Sequence, residues 1–129
     1  KTLIAFLYYL ELLRGSEVAD VDYPIRRTIA VVDDPISSLS HNHVYDIAAL
    51  IHRELVLPAK KQTGVRQVLV LTHNLFFLHE LLKQLKRDIA SAAKQCHLLR
   101  VVKGEFSQVV PLDPKDLLND YDALWHVLR

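Results

Sequence analysis

The stretch Thr28-Ile-Ala-Val-Val-Asp33-Asp34-Pro35-Ile-Ser37-Ser38-Leu39-Ser40 decides the fold of this chain. Its first part, residues 28–33, is an apolar run rich in β-branched residues, which is typical of a strand buried on both faces. The run stops at two carboxylates, and the proline and serines that follow predict a tight turn. The pattern therefore indicates a buried strand with acidic side chains at its carboxyl end.

A second stretch, Val68-Leu-Val-Leu-Thr72-His73-Asn74, repeats this design further along the chain. Residues 66–72 are predicted to be a buried strand that ends at polar side chains. Between the two strands we expect a helix over about residues 41–57, with Ser40 as its N-cap and Pro58 closing it. Its predicted apolar stripe is Val44, Ile47, Ala48, Ile51 and Leu55. A strand–helix–strand order predicts a parallel pair with ligand groups at its carboxyl edge.

The remaining segments predict further helices and a hairpin. Residues 2–14 form an apolar helix, and Asn74 opens a long one. The apolar stripe of that long helix comprises Phe77, Leu78, Leu81, Leu82, Leu85, Ile89 and Ala92. His97–Lys103 and Glu105–Val110 are predicted as two strands joined through Gly104. Pro111 and Pro114 bracket a turn into a last helix, Lys115 to Leu128.

Composition bounds the class of protein. With 129 residues, of which 50% are hydrophobic, one domain with a modest core is expected. A net charge of +1 does not indicate a nucleic-acid partner. The single cysteine, Cys96, fits a reducing, cytoplasmic compartment and a small buried hydrophobe. No apolar stretch is long enough for a membrane span. Because the chain starts at Lys1 and lacks methionine, we expect it to be part of a longer protein.

Three side chains at the two strand ends could carry chemistry. Asp33 could hold a Mg²⁺ ion bound to nucleotide phosphates through water. Asp34 could orient or deprotonate an attacking water, and His73 could donate to a terminal phosphate oxygen. The alternative is structural, because aspartates commonly stabilise turns and a single histidine is commonly a structural residue. The presence of both strand ends in one chain favours the chemical interpretation.

A basic segment offers a weaker signal for nucleic acid. Residues 83–103 contain six Lys or Arg side chains and Asp88 as their only acidic residue. Such a surface could contact tRNA or DNA, although a solvated helix face is favoured.

These motifs resemble those of the ABC ATPase superfamily. By that resemblance Asp33 occupies the metal position of the Walker B motif, and Asp34 stands where the catalytic glutamate is usual. Ser37-Ser38-Leu39-Ser40 resembles the D-loop, with Ser40 in place of the usual aspartate. His73 matches the switch histidine. Lys1-Thr2 resembles the residues directly after the ABC signature motif.

Within the superfamily, the string Asp-Asp-Pro-Ile-Ser-Ser-Leu and the later Leu-Thr-His-Asn-Leu-Phe-Phe are most similar to one bacterial subgroup. Its members carry an AAA label but ABC-like motifs, and are associated with anticodon nucleases and anti-phage defence. The resemblance is strong over about residues 1–82. Residues 83–129 add the long helix, the hairpin and the terminal helix.

The resemblance implies the C-terminal lobe of an ABC-type P-loop NTPase: an α/β fold of parallel strands flanked by helices, ending in a small hairpin and a helix. It implies ATP and Mg²⁺ as ligands, with Asp33, Ser37, Ser38 and Ser40 on the cofactor-binding side. It also implies a head-to-tail homodimer and a nuclease or other effector that acts on tRNA or DNA. No G-x-x-x-x-G-K-[ST] occurs in the chain, so an N-terminal lobe of the same protein would supply the phosphate loop.

Accordingly, we expect ATP hydrolysis from the parent protein and little or none from this chain alone. Two alternatives remain: an SMC-like ATPase of DNA repair or recombination, and a module that serves mainly for interaction and dimerisation.

Overall fold

The structure, a computed structural model, describes residues 2–15, 28–36, 43–61, 65–87 and 89–119. Helices and strands are mixed along the chain, and the two sheets are short. In chain order the elements are α1 (Thr2–Gly15), β1 (Ile29–Asp33), α2 (Val44–Ile51), a π-helical segment (His52–Val56), α3 (Leu57–Lys61), β2 (Gln67–Leu71), α4 (Leu75–Leu85), α5 (Ile89–Ala93), β3 (Leu99–Lys103), β4 (Ser107–Pro111) and α6 (residues 114–119).

β1 and β2 form a parallel pair, as predicted. The register runs from Ile29 opposite Gln67 to Asp33 opposite Leu71. One backbone bond closes each end, because Arg66 N–H donates to the Thr28 carbonyl at 2.8 Å and Asp34 N–H donates to the Leu71 carbonyl at 2.8 Å. The two carboxyl ends therefore meet at one edge of the sheet.

The main core covers only one face of this pair. Ala30 and Val32 are buried with side chains of α2 and α4, and Phe77 of α4 is fully buried among them. On the other face Ile29 and Val31 are 55% and 47% exposed. The prediction that the strands are buried on both faces is therefore wrong for the described residues, because the packed helices cover one side only.

The helix after β1 does not end at the proline. α2, the π-helical segment and α3 follow one another without a break to Lys61, so the prediction that Pro58 closes the helix is wrong. A proline lacks an N–H, and its ring clashes with the carbonyl four residues earlier in an α-helix. Here Leu57 N–H donates to the carbonyl of His52, five residues back, directly before the proline. The wider π turn lets the helix continue past Pro58.

The start of α2 also differs from the prediction. Its N-cap is His43, and the predicted Ser40 lies outside the described residues. The predicted stripe of α2 and the π-helical segment is confirmed, since Val44, Ile47, Ala48, Ile51 and Leu55 are all buried.

The predicted long helix after β2 is two helices. α4 ends at Leu85, where Lys86 adopts an extended backbone with φ −155° and ψ 157°, and α5 begins at Ile89. Residues 86–88 are all charged, so a continuous helix would gain no apolar packing there. The predicted apolar stripe survives this break, because Phe77, Leu81, Leu82, Ile89 and Ala92 are buried.

The ends of the hairpin pack against a second, smaller core. Leu82, Ile89, Ala92 and Leu117 are its buried members, and Leu98 and Leu112 pack against it. β3 and β4 pair antiparallel, as predicted, from Leu99 opposite Pro111 to Lys103 opposite Ser107. Most of the hairpin is exposed. The last helix begins at residue 114, and residues 120–129 lie outside the described part of the chain.

In the described ranges, every helix is too short or too polar to cross a membrane.

α4 begins at the polar end of β2, and its first turn depends on Asn74. The Asn74 side chain accepts a hydrogen bond from Phe77 N–H at 3.1 Å, and Asn74 N–H donates to the Thr72 hydroxyl at 3.0 Å. This arrangement confirms the predicted start of the helix.

Asn74→Ala should lower the free energy of unfolding by about 1 kcal/mol, because it removes the acceptor at the helix N-terminus. Urea unfolding measures the change. Asn74→Asp keeps a side-chain oxygen at the same position and serves as the matched control. An alanine variant as stable as the aspartate variant would contradict the capping role.

Candidate active site

The two strand ends meet through one side-chain pair. His73 Nδ1 lies 2.9 Å from Asp34 Oδ2, so the imidazole N–H donates to the carboxylate. The pairing follows from the register, since Asp34 bonds to the backbone of Leu71 and His73 is two residues beyond it. Asp34 is 26% exposed and His73 is 78% exposed. Two residues singled out from separate sequence motifs are thus in direct contact.

The backbone of Asp34 is strained. Its φ of 41° lies in the left-handed region, and it is the only non-glycine residue there in the described part of the chain. Side chains with a Cβ rarely adopt this conformation, and aspartate and asparagine tolerate it better than most. Strained residues of this kind cluster at functional sites, where the surrounding structure holds them in place.

The second oxygen of the same carboxylate lacks a hydrogen-bond donor among the described residues. Asp34 Oδ1 is buried, and no donor from the described residues reaches it. A buried acceptor without a partner costs about 1–3 kcal/mol. A bound cation, water or ligand donor at this oxygen would remove that cost.

An open groove of about 330 Å³ runs beside this carboxylate. One wall is α1, which contributes Ala5, Phe6 and Tyr9, and the other is the end of β1 with the two residues that follow it, from Val31 to Pro35. The groove therefore has an apolar, aromatic side and an acidic end formed by Asp33 and Asp34.

Asp33 lies at the last position of β1 and is exposed. In the described part of the chain, no ion pair joins it to His73. Mg²⁺ prefers carboxylate oxygens, and it is commonly held by one or two of them together with water and substrate phosphates. Asp33 offers one exposed carboxylate of this kind at the end of β1. Across the described ranges, no group of three His, Cys, Asp or Glu side chains could hold a metal by itself.

Ser37, Ser38 and Ser40 lie outside the described residues. Their assignment to a D-loop and to cofactor binding therefore stays a prediction.

Two other titratable groups lie away from the strand ends. Burial raises the pKa of the Cys96 thiol, with a smaller opposing effect from Lys60. The thiol is half-buried and lies 3.5 Å from the Ala92 carbonyl, which suits a packing role more than a nucleophile. Burial, with a further contribution from Lys60, lowers the pKa of His52 and favours its neutral form.

One residue that lines the groove, Tyr9, belongs to none of the sequence motifs. Tyr9 lines the groove and donates its O–H to the Val31 carbonyl at 3.1 Å. In the sequence it lies within an apolar helix, next to a second tyrosine. The helical spacing of Phe6 and Tyr9, which places both on one side of α1, is the signal that could have indicated it.

A parallel strand pair that ends in adjacent carboxylates and a histidine is compatible with the α/β domains whose ligands bind at the carboxyl edge of the sheet. A comparison with family models gives the particular class: the model described as "AAA domain" matches residues 1–129. The chain therefore belongs to the AAA domain family, whose members are ATPase modules that use a nucleotide and usually Mg²⁺. No curated protein and no solved structure matches the chain.

The strain at Asp34 can be measured apart from its chemistry by comparing Asp34→Gly with Asp34→Ala. Both variants lack the carboxylate, but glycine adopts positive φ without a steric penalty. The glycine variant should therefore be more stable by about 1 kcal/mol in urea unfolding. Equal stabilities would mean that the left-handed backbone costs alanine no more than the extra conformational entropy that glycine loses on folding.

Proposed function

We propose that this chain is the C-terminal lobe of an ABC-type module that binds and hydrolyses ATP. The observation that carries the proposal is the direct contact between the Asp34 carboxylate and the His73 imidazole at the shared carboxyl edge. Membership of an ATPase family supports the general activity. The ABC-type assignment rests on the resemblance of the two motifs.

Asp34 is the proposed general base. One of its oxygens accepts from His73, and this contact fixes the orientation of the carboxylate. The other oxygen has no partner among the described residues, so it remains able to accept a proton from an attacking water. A base that is already oriented loses little free energy to reorganisation when the substrate binds.

His73 is the proposed phosphate sensor. Its Nδ1 contacts Asp34, which leaves Nε2 as the nitrogen for a terminal phosphate oxygen. As an imidazolium, the ring can donate to both partners at once. The same side chain would then position the base and report the presence of the phosphate.

Asp33 is the proposed metal-holding carboxylate, acting through water. When bound, Mg²⁺ would neutralise charge on the phosphates of ATP. Ser37, Ser38 and Ser40 would contact the nucleotide across a head-to-tail homodimer.

An N-terminal lobe of the same protein would complete the module. The open face of the strand pair supports this, because Val31, Leu69 and Leu71 remain between 44% and 47% exposed on strands whose residues 29–32 and 68–71 are all apolar. Strands with such sequences are normally covered on both sides. The phosphate loop, which is absent from these 129 residues, would belong to that lobe.

ATP turnover would gate an attached effector in the cytoplasm. The motif strings favour an anticodon nuclease or another anti-phage system, which would act on tRNA or DNA. A long coiled coil in the full-length protein would point instead to an SMC-like ATPase of DNA repair.

In the full-length protein, Asp34→Asn should lower kcat for ATP on the order of 10²-fold, because the general base is lost. His73→Ala should have a similar effect through loss of an oriented donor. ATP binding should be retained in both variants. Steady-state phosphate release and nucleotide titration measure the two quantities.

The matched controls are Asp116→Asn and His97→Ala, which change exposed residues outside the groove. They should leave turnover unchanged. If the Asp34 and His73 variants also turned over at the wild-type rate, the strand ends would be structural and the proposed function would fail.

The chain alone should release phosphate from ATP only at the background rate, because it contains no phosphate loop. Comparing the isolated wild-type chain with its Asp34→Asn variant under identical conditions separates real turnover from contamination. A wild-type rate clearly above that of the variant would contradict this expectation. Dimerisation of the isolated chain without nucleotide would favour the interaction module.

A further inference from the structure

Tyr9 connects α1 to the strand that ends at the two carboxylates. Its hydroxyl donates to the Val31 carbonyl at 3.1 Å, across 22 positions of sequence. Val31 lies two residues before Asp33 and three before Asp34. The bond therefore fixes the backbone of β1 directly before the two carboxylates of the candidate site.

The bond is made at the edge of β1 that faces away from β2. The Thr28 carbonyl and the Asp34 N–H both bond to the partner strand. Backbone groups alternate in direction along a strand, so those of Val31 face the opposite edge. Tyr9 thus contacts β1 at the edge that its pairing with β2 does not hold.

Local packing holds Tyr9 in place. The Phe6 and Tyr9 rings have centroids 6.4 Å apart with an angle of 32° between their planes. Leu10, the next residue of α1, is buried in the main core. Phe6 and Tyr9 also form the wall of the groove opposite Asp33 and Asp34. A change in the position of α1 would therefore change both the groove and the end of β1.

We propose that Tyr9 is a positioning residue for the Asp33–Asp34 turn, a role that rests on the proposed function of these carboxylates. The hydroxyl fixes the end of β1 from the edge opposite β2, while the bond from Asp34 N–H to Leu71 fixes it from the other. Together they hold Asp34 in its left-handed conformation and in contact with His73. Tyr9 itself touches no reacting atom.

The test is Tyr9→Phe in the full-length protein, which removes the hydroxyl and keeps the ring. The matched control is Tyr8→Phe, because Tyr8 is the neighbouring tyrosine of α1 and is 64% exposed. Tyr9→Phe should lower kcat for ATP by about two- to tenfold, the range that one neutral hydrogen bond contributes. KM for ATP should stay at the wild-type value, the melting temperature should fall by no more than the loss of one hydrogen bond explains, and Tyr8→Phe should match wild type throughout.

The inference is overturned if Tyr9→Phe turns over ATP like wild type, or if it lowers the melting temperature and leaves kcat unchanged. The second result would assign the hydroxyl to stability alone. Asp34→Asn, measured alongside, separates this failure from failure of the proposed function. If Asp34→Asn abolishes turnover and Tyr9→Phe does not alter it, the function stands and the positioning role falls. If Asp34→Asn has no effect, both fall.

Discussion

The candidate site depends on one backbone hydrogen bond, from Asp34 N–H to the Leu71 carbonyl. This bond extends the parallel pairing one residue past β1 and ties the turn that follows to the end of β2. It brings the carboxylate of Asp34 to His73, although the two residues come from separate motifs and α2, α3 and β2 lie between them in the sequence. The chemistry of the edge is therefore a consequence of strand register.

That arrangement has an energetic cost at Asp34. The left-handed backbone costs roughly 1 kcal/mol or more, and the buried, unpartnered oxygen adds a cost of similar size. Burial of side chains such as Ile47, Ile51 and Phe77 in the main core offsets it, since each contributes about 1.5–3 kcal/mol. Strain that is held in place by a packed core is a common property of sites whose ligands relieve it.

Sequence patterns predict which helices and strands form better than they predict the residues at which these begin and end. The parallel pair, the hairpin and the Asn74 cap are confirmed, because each depends on local periodicity or on one capping side chain. The prediction that Pro58 ends the helix is wrong because a π turn precedes the proline. A rule that considers the proline alone does not include this geometry. The end of α4 at Leu85 was missed because the apolar stripe is equally compatible with one helix or two. For the site, the motifs named Asp34 and His73, but their contact and the positive φ of Asp34 depend on the register of two distant strands. Tyr9 was missed because its partner is a backbone carbonyl of a distant strand, and such a contact depends on how α1 packs against β1.

The apolar stretches of β1 and β2, residues 29–32 and 68–71, have a consequence for how the two strands are aligned. In most sheets an alternation of polar and apolar side chains penalises a shift by one residue, because the shift exposes one set and buries the other. Residues 29–32 and 68–71 contain no polar side chain, so a shift of the register within these stretches would bury a surface that is equally apolar. Alignment must then be selected by the polar ends of the strands. A register shift of one residue would pair Asp33 with a residue other than Leu71. It would also separate the Asp34 carboxylate from the His73 imidazole. The residues proposed to perform the chemistry therefore also mark the correct alignment of the sheet.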